Sequence, residues 1–181
     1  ANISKNYYEA AIEFGQMLDL DKHNLIFDGC DGLPGVVAKQ MKQPNNNLEI
    51  AFTTRLGARK IIDNWPCARL NGAFNNQSEV TRALLSWSDV AVFFKGGSGT
   101  LAELFHAIDT KKNGEHIKPI LILNIQDEWS DLIKLLEPLG LDSLYEIMST
   151  PKEIMEYINK NIKFNAYHNI EYIGKSDDYE R

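Results

Sequence analysis

The sequence predicts an α/β fold: a Rossmann-like, mostly parallel sheet with helices on both faces. Three observations lead there. Short apolar runs rich in β-formers alternate with stretches of helical periodicity along the chain. Two of these runs break into glycine-rich turns that lead straight into helices, the arrangement found at the ligand-binding edge of open α/β sheets. Right-handed crossovers between parallel strands then place helices on both sides of a sheet of five or six strands.

Each element has its own signal. Ser4 to Leu18 reads as a helix with Ser4 as N-cap, and Tyr8, Ala11, Ile12, Gly15 and Leu18 form the face that covers the sheet. Asn24 to Phe27 is a short buried strand ending in the turn Asp28-Gly29-Cys30-Asp31-Gly32-Leu33-Pro34-Gly35, and Val36 to Met41 is helical. Gln43 to Asn47 is a polar loop, Leu48 to Thr53 a strand, and Thr54 to Pro66 a connection without a clear element that carries Arg55, Arg59 and Lys60. Ala68 to Ala73 is a short strand bearing Arg69. Asn75 to Ser88 is a helix that turns Val80, Leu84, Leu85 and Trp87 inward and pairs Glu79 with Arg82 on its surface. After the strand at Ala91 to Phe94 and its glycines, a helix runs from Thr100 to Lys111 and stops at Asn113-Gly114. Lys118 to Asn124 is a strand with Pro119 at its start, Trp129 to Leu136 a helix and Leu144 to Met148 an edge strand. Thr150-Pro151-Lys152-Glu153 opens the last helix with an N-cap, a proline at the first position and a capping-box glutamate.

At 181 residues the chain is long enough for one full core, expected over residues 1–163, with a polar and aromatic C-terminal tail at 164–181. Its net charge of −6, with no run of Lys and Arg, argues against general nucleic-acid binding. No apolar segment reaches the length of a membrane span and there is no signal-peptide pattern, so a soluble, cytoplasmic protein is expected. Cys30 and Cys67 read as buried thiols. None of the four histidines has a partner at metal-ligand spacing; His106 and His116 read as packing or surface residues, and neither metal nor cofactor is expected.

The chemistry concentrates at Gly96-Gly97-Ser98-Gly99-Thr100-Leu101-Ala102-Glu103. Glycines let the backbone turn sharply and approach a ligand, and the free N–H groups of a helix start favour an anion. That is a phosphate cradle, to which Ser98 and Thr100 add hydroxyls, while Glu103 lies one turn beyond Thr100. A plain capped turn, with Ser98 or Thr100 as N-cap and Glu103 as its capping-box partner, is the alternative reading. The Gly32 and Gly35 turn repeats the pattern; Asp28 and Asp31 read there as turn residues.

The segment Gly96 to Glu103 resembles the GGxGTxxE part of the PGGxGTxxE signature of the Lonely Guy (LOG) family, often labelled possible lysine decarboxylases. Asp89, the run Glu115-His116-Ile117-Lys118-Pro119, the strand ending at Asn124, the Trp129 and Thr150-Pro151 helices, the Tyr8-Glu9-Ala10-Ala11 helix and the Gly32-Leu33-Pro34-Gly35 turn resemble the family in order and spacing. The resemblance implies a homodimer or higher homo-oligomer that holds a nucleoside monophosphate at the glycine turns (Gly96, Gly97, Ser98, Gly99 and Thr100, with Gly32 and Gly35). It also implies hydrolysis of the N-glycosidic bond to free base and ribose 5-phosphate, with Glu103 as the carboxylate. A non-catalytic nucleotide-binding or sensor protein, and a molybdenum-cofactor carrier that binds a phosphorylated pterin, are alternatives on the same fold. Lysine decarboxylation is discounted, since no pyridoxal phosphate lysine context is present.

The chain departs from the pattern in three places. Lys95 replaces the family's proline and offers a cation to phosphate or solvent. The family's catalytic arginine falls nine residues before Asp89, where this chain has Val80; Arg82 is the nearest candidate, with Arg55, Arg59 and Arg69 as others. The family's first strand and Gly-Ser turn, expected before Ser4, have no counterpart in the sequence.

Overall fold

The computed structural model describes residues 3–19, 22–29, 32–41, 50–54 and 68–163. The readings made of the 43–47 loop and of Cys30, Asp31, Arg55, Arg59, Lys60, Cys67 and the 164–181 tail lie outside them. Six strands and six helices are described: α1 Lys5–Met17, β1 Ile26–Phe27, α2 Leu33–Gln40, β2 Ile50–Thr54, β3 Ala68–Phe74, α3 Gln77–Trp87, β4 Ala91–Phe93, α4 Ser98–Lys112, β5 Ile120–Leu123, α5 Ser130–Leu136, β6 Glu146–Met148 and α6 Pro151–Asn161. The strands form two three-stranded sheets, ordered β1-β2-β3 and β4-β5-β6. Every pairing is parallel, with Ile26 opposite Ile50, Val92 opposite Leu121 and Ile122 opposite Ile147.

β5 shows why helices lie on both faces. All four of its residues are 0% exposed, and successive side chains of a strand point to opposite sides. Leu121 and Leu123 join Tyr7, Phe14, Val37, Ile154 and Ile158 from α1, α2 and α6. Ile120 and Ile122 join Leu104 and Ile108 of α4 and Leu132 and Leu136 of α5 on the other side. A strand covered twice is a continuous apolar run, and Ile-Leu-Ile-Leu is such a run.

Three expectations need correction. The buried stripe of α1 is Tyr7, Ala10, Ala11, Phe14 and Gly15, whereas Tyr8 is 49% exposed. Ala11, Gly15 and Leu18 are buried as expected, but the stripe is centred toward Tyr7 and Phe14, and this brings the Tyr7 hydroxyl to Leu123 O at 2.7 Å. Trp87 is 48% exposed, because it lies a turn beyond the part of α3 where Val80 packs on Ile26 and Phe74. Glu79 is chiefly a capping residue: its carboxylate accepts from the Asn75 N–H at 2.8 Å while Asn76 Oδ1 accepts from the Glu79 N–H at 3.0 Å. The Asn75 N–H bond to the carboxylate, with the Asn75 side chain, the Arg82 charge and the Asn76 side chain as lesser causes, holds its pKa below the usual glutamate value.

Candidate nucleotide site

The strand-turn-helix at the end of β4 forms as the sequence indicates, but α4 begins two residues earlier than expected, at Ser98. Gly97 is its N-cap, and as a glycine it contributes no side-chain bond to the cap. The capped-turn reading, with Ser98 or Thr100 closing the helix, is therefore not what forms. Leu101 N–H bonds Gly97 O at 3.1 Å, so the N–H groups of Ser98, Gly99 and Thr100 are those that an α-helix leaves without intrahelical acceptors. The first turn of α4 holds no acidic residue and its last turn holds Lys111 and Lys112. In contrast, α1, α3 and α6 are closed by Ser4, Asn76 and Thr150, each of which accepts a backbone N–H.

Gly96 has a steric reason to be glycine. A β-carbon there would overlap Thr100 Oγ1 and approach Thr100 Cβ to 2.8 Å. Glu103 is half-buried, three residues along α4 from Thr100 and on the same side of the helix. The other glycine turn starts α2, with Gly32 as an N-cap that again makes no side-chain bond. A β-carbon on Gly32 would meet Pro34 Cδ at an ordinary 3.8 Å, and Gly35 is buried within the first turn of the helix. Gly32 is therefore not demanded by crowding as Gly96 is.

The two residues before the glycines anchor the turn. Phe94 packs on the rings of Tyr7 and Phe14, at centroid separations of 6.4 and 5.7 Å. Lys95 folds back onto the chain with its side chain still 39% exposed: its Nζ donates to Glu128 O at 2.8 Å and lies 3.5 Å from Glu128 Oε2. Sequence reasoning missed Glu128, which no local pattern connects to Lys95. Tyr7 was also missed as a polar residue; its hydroxyl donates to Leu123 O and accepts from Ile125 N–H at 3.2 Å. Burial pushes its pKa up to about 12.

The structure places the arginine question on α3. Val80 is 1% exposed, in an apolar cluster with Ile26, Phe74, Ala83 and Leu84. Arg82 is exposed, about 200° further around the helix. Arg69 lies in β3. His116 is a packing residue: its Nδ1 accepts the Lys118 N–H at 3.1 Å and its Nε2 bonds Ala107 O at 2.9 Å. Among the described residues no group of three or more His, Cys, Asp or Glu is placed to hold a metal ion, and no helix is long and apolar enough to cross a membrane.

Comparisons with known proteins agree on this architecture. A solved molybdenum cofactor binding protein from Rippkaea orientalis superposes with a TM-score of 0.67 at 20% identity, over 90% of this chain and 91% of that one. The molybdenum cofactor carrier protein of Chlamydomonas reinhardtii gives 0.62 at 20% identity, over 86% and 88%. In sequence, the chain is 26% identical over 132 residues to a probable cytokinin riboside 5'-monophosphate phosphoribohydrolase of Oryza sativa subsp. japonica, covering 71% of this chain and 56% of that protein. It is 24% identical over 135 residues to a cytokinin riboside 5'-monophosphate phosphoribohydrolase of Arabidopsis thaliana, covering 73% and 61%. The match thus spans little more than half the length of these relatives. The family model described as possible lysine decarboxylase matches residues 71–161, half of the chain, from β3 through α3, the glycine turn and α4 to the end of α6. The chain belongs to that family, the one that includes the Lonely Guy phosphoribohydrolases.

Proposed function

We propose that this chain is a nucleoside 5'-monophosphate N-glycosidase. The phosphate rests on the backbone N–H groups of Gly97 to Thr100, and Glu103 faces the ribose. Water adds its oxygen to the anomeric carbon as the carbon–nitrogen bond breaks; the base departs with a proton, leaving ribose 5-phosphate. Few groups are required, because the transition state gathers positive charge on the sugar, and a carboxylate beside it stabilises that charge and orients the water. The observation that carries this reading is the glycine-capped, acid-free start of α4 with Glu103 one turn behind it. The relatives, named for a riboside 5'-monophosphate, support the substrate class. Arg82 is the α3 residue proposed to accompany Glu103. Self-association as a homodimer or larger assembly goes with this reading, supported by the exposed Trp87 on α3 and Phe105 on α4.

A second reading has its own support. Val80 fills, as buried hydrocarbon, the position where the family's arginine is expected, which favours a protein that binds a phosphorylated ligand without turning it over. A nucleotide or the molybdenum cofactor is the ligand in that case. Incubating the protein with purine and pyrimidine monophosphates, and separating the products by chromatography, decides between the two. Free base from at least one substrate supports the hydrolase; a raised melting temperature without base release supports the binding protein.

A further inference from the structure

We propose that Lys95 and Glu128 form a clasp that fixes the glycine turn in its anion-binding position, with Lys95 acting as a positioning residue and not as a ligand of the phosphate. The proposal rests on the reading of the α4 start as a phosphate site.

Three chain segments meet at this clasp. Lys95 immediately precedes the glycines, and its ammonium is engaged by the main-chain oxygen and the carboxylate of Glu128. Glu128 Oε1 in turn accepts from Asn6 Nδ2 at 2.9 Å and from Ser4 Oγ at 3.3 Å, at the start of α1. Asn6 Nδ2 also donates to Gln126 Oε1 at 3.0 Å. Glu128 closes the loop after β5, in which Gln126 and Asp127 both take the left-handed backbone region, with φ of 49° and 59°. Such residues persist only where their surroundings hold them. The holding groups here are Lys95, Asn6 and Asn124, whose Oδ1 accepts the Trp129 N–H at 2.8 Å.

A turn made of glycines has little side chain with which to fix itself, and a flexible cradle loses ordering entropy each time it binds. Phe94 fixes the apolar side of this turn and Lys95 the polar side. The Asn6 bond, followed by those from Ser4 and Lys95, holds the Glu128 pKa below the usual glutamate value, so the carboxylate is ionised and the clasp closed at neutral pH.

The test uses the full chain with AMP and inorganic phosphate as probes, and the variants Lys95→Met, Lys95→Arg, Glu128→Ala and the double variant Lys95→Met/Glu128→Ala. A clasp predicts that Lys95→Met and Glu128→Ala each weaken phosphate and AMP binding about tenfold, by displacing groups they do not touch. The double variant is then little worse than either single variant, Lys95→Arg restores most of the affinity, and melting temperatures move little. Hydrogen exchange measured on the ligand-free protein at the amides of residues 96–101 rises in both single variants. A direct phosphate ligand predicts the opposite for Glu128→Ala, since freeing the Lys95 ammonium tightens binding; that result, or additive losses, overturns the proposal. If the wild-type protein binds neither probe, the phosphate-site reading fails. The exchange measurement still decides the clasp: unchanged exchange in Lys95→Met and Glu128→Ala rejects it. Should Lys95→Met fail to fold, Glu128→Ala and Lys95→Arg carry the same comparison.

Discussion

Thr100 stands directly over Gly96, so that any β-carbon at Gly96 would overlap the threonine side chain. Gly96→Ala is therefore expected to lower stability by about 1–3 kcal/mol, the usual cost of forcing atoms into a packed site. Urea denaturation measures it. The same substitution in a Thr100→Gly background should cost much less, because the overlap is then gone; an equal cost in both backgrounds would mean that something other than Thr100 excludes the methyl.

Glu103→Gln keeps the shape of the side chain and removes its charge. Base release is expected to fall about 10²- to 10⁴-fold, the range for a carboxylate acting in the transition state. Nucleotide affinity should stay close to wild type, because the proposed phosphate donors are main-chain N–H groups. Loss of affinity equal to the loss of turnover would make Glu103 a binding group.

The two faces of α3 should respond differently. Val80→Ala is expected to cost about 1–3 kcal/mol for the buried methyl groups removed, and Val80→Arg to abolish folding by burying an unpaired charge among Ile26, Phe74, Ala83 and Leu84. Arg82→Ala should leave stability within about 0.5 kcal/mol of wild type while slowing base release. If release is unaffected, Arg82 has no part in the chemistry. A soluble, folded Val80→Arg protein would show that α3 can turn.

His23, just past α1, gives a pH signature. Burial is the main cause that lowers its pKa below 6.5, with Lys22 acting in the same direction and the bond and charge of Asp19 opposing. Its Nδ1 lies 2.9 Å from both Asp19 N, whose N–H donates to the unprotonated ring, and Asp19 O, which accepts from the protonated one. The folded protein thus favours neutral His23, whereas the unfolded chain takes up its proton once the pH drops below 6.5. Stability from this group is full above pH 6.5 and declines as the pH falls toward the folded-state pKa. Thermal melts between pH 7.5 and 5.5 should show the decline, and His23→Gln should flatten it.

Local signals wrote most of this fold into the sequence. Ser4, Asn76 and Thr150 are the caps that their residue types announce, and the Ile120 to Leu123 run is the twice-covered strand it resembles. The strand-turn-helix at Gly96 to Gly99 was legible because its glycines are local too. The α1 face was misread because Tyr7 and Tyr8 are both aromatic, and only the hydroxyl's destination on Leu123 distinguishes them. Lys95 was legible as a cation and not as a tether, since its acceptor lies 33 residues away. Lys118 is similar: it donates to Leu85 O and, at 2.7 Å, to Ser86 O, closing α3 from the segment just before β5, and no periodicity within α3 reveals it.

The N-cap of α4 is a glycine, which brings no side chain of its own to the helix start, and this determines which mutagenesis can find it. An alanine scan deletes atoms beyond the β-carbon, and the donors at Ser98, Gly99 and Thr100 are main-chain atoms that such a scan leaves in place. Only changes that add bulk, such as Gly96→Ala, or that remove a donor, such as proline at residue 99, register there. Truncations to alanine would therefore mark Glu103 and pass over the main-chain donors proposed to hold the phosphate.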